Sequence, residues 1–427
     1  MEIYVVKQGD TLYKIAEMFN TTIEKIVSDN ELTEPNNLVV GQTIVILKNN
    51  QTYVVNKGDT LYKIAAQFGI PLNSLMAANP GITNPLNLMV GETLVIPLSQ
   101  PKGREIEVNG YCFVNIDREV LSKTLPSLTY LSIFSYEVLA DGSLVNIASD
   151  VPLIEMAREN KVAPMMVITN LEENSGFSSE LGSAILNNPE ARQNLIKNVI
   201  NKMNEKNYFG VDIDFEYLYP TDREAYNTFI QEMVDAVHPL GFIVTTALAP
   251  KTFSDQPGIL YEAHDYGAHG KTVDHVILMT YEWGYTYGPP MAVAPANQVE
   301  RVLKYAVTEI PSEKILMGMP NYGYDWQLPF IEGSAATSLS NVGAVNLARD
   351  VGSFINFDNL QKAPFFNYYK GENEHVVWFE DARSIFERLK FVEKYNLGGV
   401  SYWTINQYFP QNWLVLNAMY GVKKVIE

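Results

Sequence analysis

The sequence predicts an α/β protein in which two small βααβ modules precede a (β/α)8 barrel that carries a small α+β insertion. Three observations carry that prediction. An octapeptide recurs unchanged near the start, eight apolar stretches alternate with helical patterns over the rest of the chain, and one connection among them is too long for a loop.

The octapeptide Gly9-Asp10-Thr11-Leu12-Tyr13-Lys14-Ile15-Ala16 returns at Gly58 to Ala65. Each copy follows a Tyr-Val-Val strand (Tyr4 to Val6, Tyr53 to Val55) and runs into two short helical stretches. Each closes with a second strand, Val40 to Ile46 or Val90 to Ile96, so the modules span residues 1–48 and 51–98. Asp10-Thr11 and Asp59-Thr60 fall where a turn becomes a helix, and one residue of each pair is expected to cap the first turn. Pro97 to Arg104 reads as a short linker.

Residues 105–427 form the third unit. Strands are expected at Ile106 to Val114, Tyr130 to Ser135, Val162 to Thr169, Phe209 to Glu216, Phe242 to Leu248, His275 to Tyr281, Ile315 to Asn321 and Gly399 to Thr404. Helical segments between them include Pro189 to Lys206, Asp222 to His238, Ala296 to Thr308 and Asp381 to Tyr395. Eight strands alternating with helices favour a closed barrel over an open doubly wound sheet. The connection at about residues 322–380 is β-rich at Phe365 to Tyr369 and His375 to Phe379, and is expected to be an α+β insertion walling the site.

The fourth strand carries the chemistry. In Val211-Asp212-Ile213-Asp214-Phe215-Glu216-Tyr217 the acids and the apolar residues alternate, so three carboxylates share one face. An exposed edge strand with a solvated acidic face would explain alternating acids by themselves. As the fourth of eight strands, however, its apolar set should meet the helices and its acids the barrel axis, where unpaired carboxylates are costly and persist mainly for function.

Gly210, Asp212, Asp214 and Glu216 match the Gly-x-Asp-x-Asp-x-Glu strand motif that the chain shares with family 18 glycosidases, to which residues 105–425 are similar. Met279-Thr280-Tyr281-Glu282 resembles that family's sixth-strand Met-x-Tyr-Asp, with a longer acid. Met317 to Gly323 resembles the seventh-strand segment, and Gly399 to Trp403 the eighth. Two positions depart from the pattern: Phe209 stands where an Asp usually precedes the glycine, and the third strand lacks the Ser-x-Gly-Gly expected around Met166 to Asn170. The resemblance implies a TIM barrel and substrate-assisted hydrolysis, in which the sugar's own 2-acetamido group is the nucleophile. Glu216 would then be the acid and later the base, with Asp214 holding the acetamido N–H and Asp212 sharing a proton with Asp214. Tyr281 would align the acetamido oxygen and Trp403 lie under the sugar, with Glu282 and Tyr322 in the substrate site. Trp283 and Trp326 follow strands six and seven on the loop side, a place that suits walls of the site and equally core packing.

The repeated modules resemble LysM modules, which bind N-acetylglucosamine units of peptidoglycan and chitin. On that resemblance the grooves involve Gly9, Asp10, Thr11, Leu12 and Asp29-Asn30 in the first copy. In the second they involve Gly58, Asp59, Thr60, Leu61 and Ala78-Asn79-Pro80. Two sites on one tether would give avidity along a polymer. For individual residues of the octapeptide, a role in holding the small fold together is the simpler reading.

Composition narrows the partners. Lys and Arg total 31 against 49 acids, a net charge of -18 with no basic run, which argues against nucleic acid. No stretch has transmembrane length, Met1 leads straight into Glu2-Ile3-Tyr4-Val5-Val6 without a signal-peptide pattern, and Cys112 stands alone. His264 and His269 lie near Glu262 and Asp265 but lack zinc spacing, and are expected on surface loops. No metal or cofactor is called for, and a monomer is expected.

Two LysM-like modules joined to such a barrel resemble bacterial spore cortex-lytic N-acetylglucosaminidases. This implies cleavage of β-1,4 bonds after N-acetylglucosamine in peptidoglycan, in the spore cortex or coat region or in the cell wall. A LysM-containing chitinase and a non-catalytic glycan-binding wall or coat protein are the alternatives.

Overall fold

A computed structural model describes residues 1–47, 51–68, 70, 72–77, 79, 82, 88–96, 103–147, 149–172 and 176–427. Most of the expected linker, with Ala78 and Pro80 of the second groove, lies outside the described residues.

Eight parallel strands form the barrel: Glu105–Phe113, Tyr130–Glu137, Ala163–Thr169, Gly210–Asp214, Ile243–Leu248, His275–Leu278, Ile315–Pro320 and Gly399–Trp403. They pair in chain order, and the eighth closes onto the first, with Gly399 opposite Glu107. A Cβ on Gly399 would lie 1.7 Å from the Glu107 carbonyl oxygen, so closure at this register requires a glycine. As far as Glu216 the fourth strand and its extension sort their side chains as the alternation predicts. Phe215 continues the apolar set outward and stacks on Tyr226 and Phe229 of the helix Arg223–Val237, at centroid distances of 6.0 and 5.8 Å.

The interior of the barrel holds a buried hydrogen-bonded network beside apolar residues such as Val167, Ile277 and Leu316. Asn109 donates to Ser401 Oγ at 2.9 Å and accepts from Ser132 Oγ at 2.9 Å. At the next inward position of the first strand, Tyr111 OH donates to Asp212 at 2.5 Å. Phe209, at the departure from the family pattern, joins Tyr130, Met165, Val425 and Ile426 in an apolar cluster. The C-terminal segment is tied on there. Gly421–Val422 pairs with the first strand, and Lys423 Nζ reaches Glu107 at 2.7 Å, which also meets His275 Nε2 at 2.9 Å.

The long connection is an α+β insertion. A five-stranded antiparallel sheet is built from Tyr322–Leu328, Thr337–Ser340, Asn356–Asp358, Ala363–Lys370 and Asn373–Trp378, with the helix Asn341–Asp350. The buried pair Glu380–Arg388, with Arg388 also donating to Ala294 O at 2.9 Å, ties its end to the barrel.

Both modules have the expected element order. The first consists of Glu2–Val5, Leu12–Met18, Ile23–Asn30 and Thr43–Ile46, and the second of Gln51–Val54, Leu61–Gln67, Leu72–Ala77 and Thr93–Ile96. The caps are the threonines, since Thr11 accepts from Lys14 N and Thr60 from Lys63 N. The preceding aspartates brace the turn. Asp10 accepts from Tyr4 OH and Lys7 N, and Asp59 from Tyr53 OH and Asn56 N.

The first module is seated on the barrel. Gln411, on the helix Pro410–Met419, donates to Thr43 O at 2.7 Å and to Asn30 Oδ1 at 3.1 Å, and accepts from Thr43 Oγ1 at 2.7 Å. Ile355 N donates to Val40 O at 2.9 Å, Arg349 Nε to Asn37 O at 3.0 Å, and Lys123 pairs with Glu31 at 3.0 Å. Val39 packs with Ala344, Phe366 and Phe379 of the insertion. At Gly41, which has φ +89°, a Cβ would lie 1.9 Å from Ile355 O, so the contact depends on a glycine. At the equivalent positions of the second module, Met89 and Val90 are 70% and 68% exposed.

Candidate active site

The fourth strand ends its sheet pairing at Asp214, opposite Thr169. Asp214 and Glu216 then face a cleft of about 520 Å³ at the C-terminal mouth of the barrel, with Tyr281, Glu282, Trp283 and Trp403 also in its lining. The sequence-predicted acid pair, the tyrosine and two of the three tryptophans thus come together from strands four, six and eight. Trp403 is fixed edge-on by Tyr111, Phe113 and Phe134, at centroid distances of 5.4, 5.8 and 4.9 Å.

The three acids form a graded series. Asp212 is fully buried, accepting from Tyr111 OH and from Thr245 Oγ1, each at 2.5 Å; burial raises its pKa to about 6 against those two bonds. Asp214 is 4% exposed, and its Oδ1 has no hydrogen-bond partner among the described residues. Burial, then the charges of Glu216 and Asp212, hold it well above the carboxylate range. Glu216 keeps partial contact with solvent in the cleft, while burial of its carboxyl and the charge of Glu282 push it up to about 7. Near neutrality the cluster therefore retains protons, and they belong to the group as a whole.

Glu282 accepts from Tyr322 OH and, at 3.1 Å, from Tyr324 OH. Burial raises its proton affinity and both phenols lower it. Tyr322 therefore reaches the site through Glu282. Tyr217 and Glu282, the residues after Glu216 and Tyr281, both adopt left-handed backbone, with φ +53° and +65°. Non-glycine residues seldom do so, and such residues cluster at working sites.

Four expectations are corrected. Trp326 does not wall the cleft: it is 1% exposed and donates Nε1–H to Gly288 O at 2.9 Å, packed beside Tyr324. His264 and His269 are not on surface loops, because both are buried. His264 Nδ1 accepts from Ala249 N at 2.8 Å, which leaves its Nε2–H to donate to Phe215 O at 3.0 Å; burial lowers its pKa to about 4, so the ring is neutral. Asn30 and Asn79 are brackets inside their modules rather than groove residues. Each amide donates to two carbonyls, those of Ile26 and Val45 or of Leu75 and Val95, and its Oδ1 accepts from Val45 N or Val95 N. Leu12 and Leu61 belong to the module cores.

Tyr217, expected with the apolar set that meets the helices, instead lines the cleft, because the backbone turns left-handed there. Phe134, Tyr261 and Tyr285 also line it and went unread in the sequence.

The profile of Glycosyl hydrolases family 18 matches residues 111–407, which span the barrel, the cleft and all three acids. The chain belongs to glycosyl hydrolase family 18. The LysM domain profile matches residues 4–47 and 53–97, so this family 18 glycosidase carries two such modules ahead of its barrel. It is 44% identical to the cortical fragment-lytic enzyme of Bacillus subtilis (strain 168), over 99% of both chains, and 38% identical to that of Bacillus anthracis, also over 99% of both. Among solved structures, the spore cortex-lytic enzyme SleL of Bacillus megaterium QM B1551 aligns with a TM-score of 0.85 at 40% identity, covering 99% of each chain. A chitinase of Chromobacterium violaceum, at 23% identity and a TM-score of 0.68, shares the fold over 73% of this chain.

Proposed function

We propose that this family 18 glycosidase cleaves β-1,4 bonds after N-acetylglucosamine in spore cortex peptidoglycan, with retention, through an oxazolinium intermediate. The observation that carries the reading is the pairing of Glu216 with Asp214 in the cleft. One carboxyl has its pKa raised to about 7, and the other has an oxygen without a partner among the described residues.

Glu216 donates its proton to the glycosidic oxygen as the C1–O bond breaks. The acetamido carbonyl oxygen of the same sugar bonds to C1, and Asp214, its proton passed to Asp212, accepts the acetamido N–H and balances the charge that develops on the ring. Glu216, now a carboxylate, takes a proton from the water that attacks C1 and opens the oxazolinium. Asp212 tunes Asp214 from below, Tyr281 steadies the acetamido oxygen, and Trp403 offers its indole to the apolar face of the sugar. Trp283 and Glu282 border the neighbouring sugar, with Tyr322 holding Glu282.

The cortex enters through the names of the full-length relatives, and chemistry supports it. Muramic-δ-lactam has no free acetamido carbonyl, so N-acetylglucosamine must occupy the subsite where the bond breaks. The LysM modules bind N-acetylglucosamine polymers. We assign that contact to the loops at Gly9 to Thr11 and Gly58 to Thr60, with the chain acting at the spore or cell wall as a monomer.

The test is a digest of purified cortex with the parent enzyme and Glu216→Gln, followed by borohydride reduction and mass spectrometry. New N-acetylglucosaminitol ends with the parent and none with the variant are expected. No new ends from either, with both proteins still bound to the glycan, would overturn the cortex reading; turnover of chitin oligomers instead would point to a chitinase.

A further inference from the structure

Beyond Asp214 the sheet no longer fixes the backbone that carries Glu216: the fourth strand's ladder stops at Asp214 on one side and at Ile213 on the other. The next three residues are held by side chains. His264 Nε2–H donates to Phe215 O at 3.0 Å, and Ser179 Oγ donates to Tyr217 O. Between them Asn170 grips both ends of the Glu216 residue, donating Nδ2–H to Glu216 O at 2.9 Å and accepting Glu216 N–H on Oδ1 at 2.9 Å. The other Nδ2–H reaches Ser178 O at 3.0 Å, so both donors of this amide and one acceptor direction of its oxygen are used. Asn170 is fully buried, at the end of the third strand, where the family's Ser-x-Gly-Gly is missing.

We infer that Asn170 is the positioning residue for Glu216, setting the reach of its carboxyl by clamping its two backbone polar groups where the β-ladder has ended. Because the residue that follows is in the left-handed region, the chain has a competing, less strained path there, and the clamp is what makes the observed one persist. Asn170 does not touch the cleft, so its loss should act through geometry rather than through substrate contact. A displacement of about 1 Å at a reacting group costs on the order of 10²-fold in rate.

This inference rests on Glu216 being the acid, so kinetics on soluble cortex glycan fragments are compared for the parent, Glu216→Gln, Asn170→Ala and Asn170→Asp. Asn170→Ala is expected to lower kcat about 10²-fold with little change in KM. Asn170→Asp keeps the shape. Its carboxylate repels the Glu216 carbonyl, but its protonated form can donate to Glu216 O while still accepting from Glu216 N, so its activity relative to the parent should recover as pH falls. Should Asn170→Ala fail to fold, judged by circular dichroism and melting, Asn170→Asp decides. An Asn170→Ala protein with kcat within threefold of the parent would overturn the clamp, as would a folded Asn170→Asp protein whose activity ratio is flat with pH. Undiminished activity in Glu216→Gln would instead overturn the assignment of the acid.

Discussion

Tyr322 donates its phenolic hydrogen to Glu282, an acid one methylene longer than the aspartate usual at that place in the family, and Glu282 in turn raises the proton affinity of Glu216. The phenol therefore acts on the acid at one remove. Glu282→Gln removes a like charge, so the Glu216 pKa falls and the acid form is lost at lower pH. The alkaline limb of kcat/KM, expected near pH 7, should move acidward. The Glu282 carboxyl is tucked against the two phenols while the rest of the side chain stands exposed at the cleft mouth, where solvent screens its push, so the shift should stay under about one pH unit. Tyr322→Phe should move the limb the same way by less, because Glu282 without that donor holds its own proton longer. A limb moving alkaline in either variant would contradict this coupling.

Glu216→Gln and Asp214→Asn should separate in kind. Loss of the acid should lower kcat by ~10²- to 10⁴-fold with glycan binding intact. Asp214→Asn removes a charge that matters as the oxazolinium forms, so kcat should fall ~10²- to 10³-fold with KM little changed. Single-turnover measurements with binding by sedimentation check both.

The seat of the first module makes a mechanical prediction. Gln411→Ala leaves Asn30 Oδ1 and both Thr43 oxygens short of a partner at a buried junction, a loss of roughly 1–3 kcal/mol. Hydrogen exchange should show Thr43–Ile46 opening more readily, with Thr93–Ile96 of the second module unchanged. Equal behaviour of the two strands would show that the junction adds nothing.

Acid tolerance should depend on the C-terminal segment. Although burial raises Glu107, its bonds and charge contacts with His275 and Lys423 bring it down to about 2. A depressed carboxylate contributes stability that is fully present above its ordinary 4.5 and lost as pH falls through about 2. Lys423→Met raises the folded value, so less stability is present above 4.5 and its loss is complete at a higher pH. Because Lys423 is half exposed, the effect should be under about 1 kcal/mol, read from melting temperatures between pH 2 and 5.

The eight strands were legible because barrel strands are apolar runs bounded by turns. Their C-terminal ends were not: Phe209 to Glu216 reads as one strand, yet pairing stops at Asp214, because the alternation continues after the hydrogen bonds have passed from sheet to side chains. Asp214 and Glu216 could be picked out from residue type and spacing, and Tyr281 and Trp403 from the resemblance of their strands to family motifs. Asn170 and His264 could not, since their work is done on the backbone of a residue distant in sequence. Trp326 was misread for the converse reason: its place after the seventh strand suggested the cleft, whereas the insertion sheet turns its ring inward.

The matching octapeptides invite the view that the two N-terminal copies are spare parts for one another, and the seat shows that they are not. Val39, Gly41 and Gln42 of the first copy are answered in the second by Met89, Gly91 and Glu92. Moved onto the barrel, the second copy would set a longer, unbranched chain against Phe366 and Phe379, and a carboxylate where a neutral amide lies among buried groups. After the duplication one copy became masonry and the other kept an outer wall. Exchanging their order would preserve every octapeptide and lose the fit.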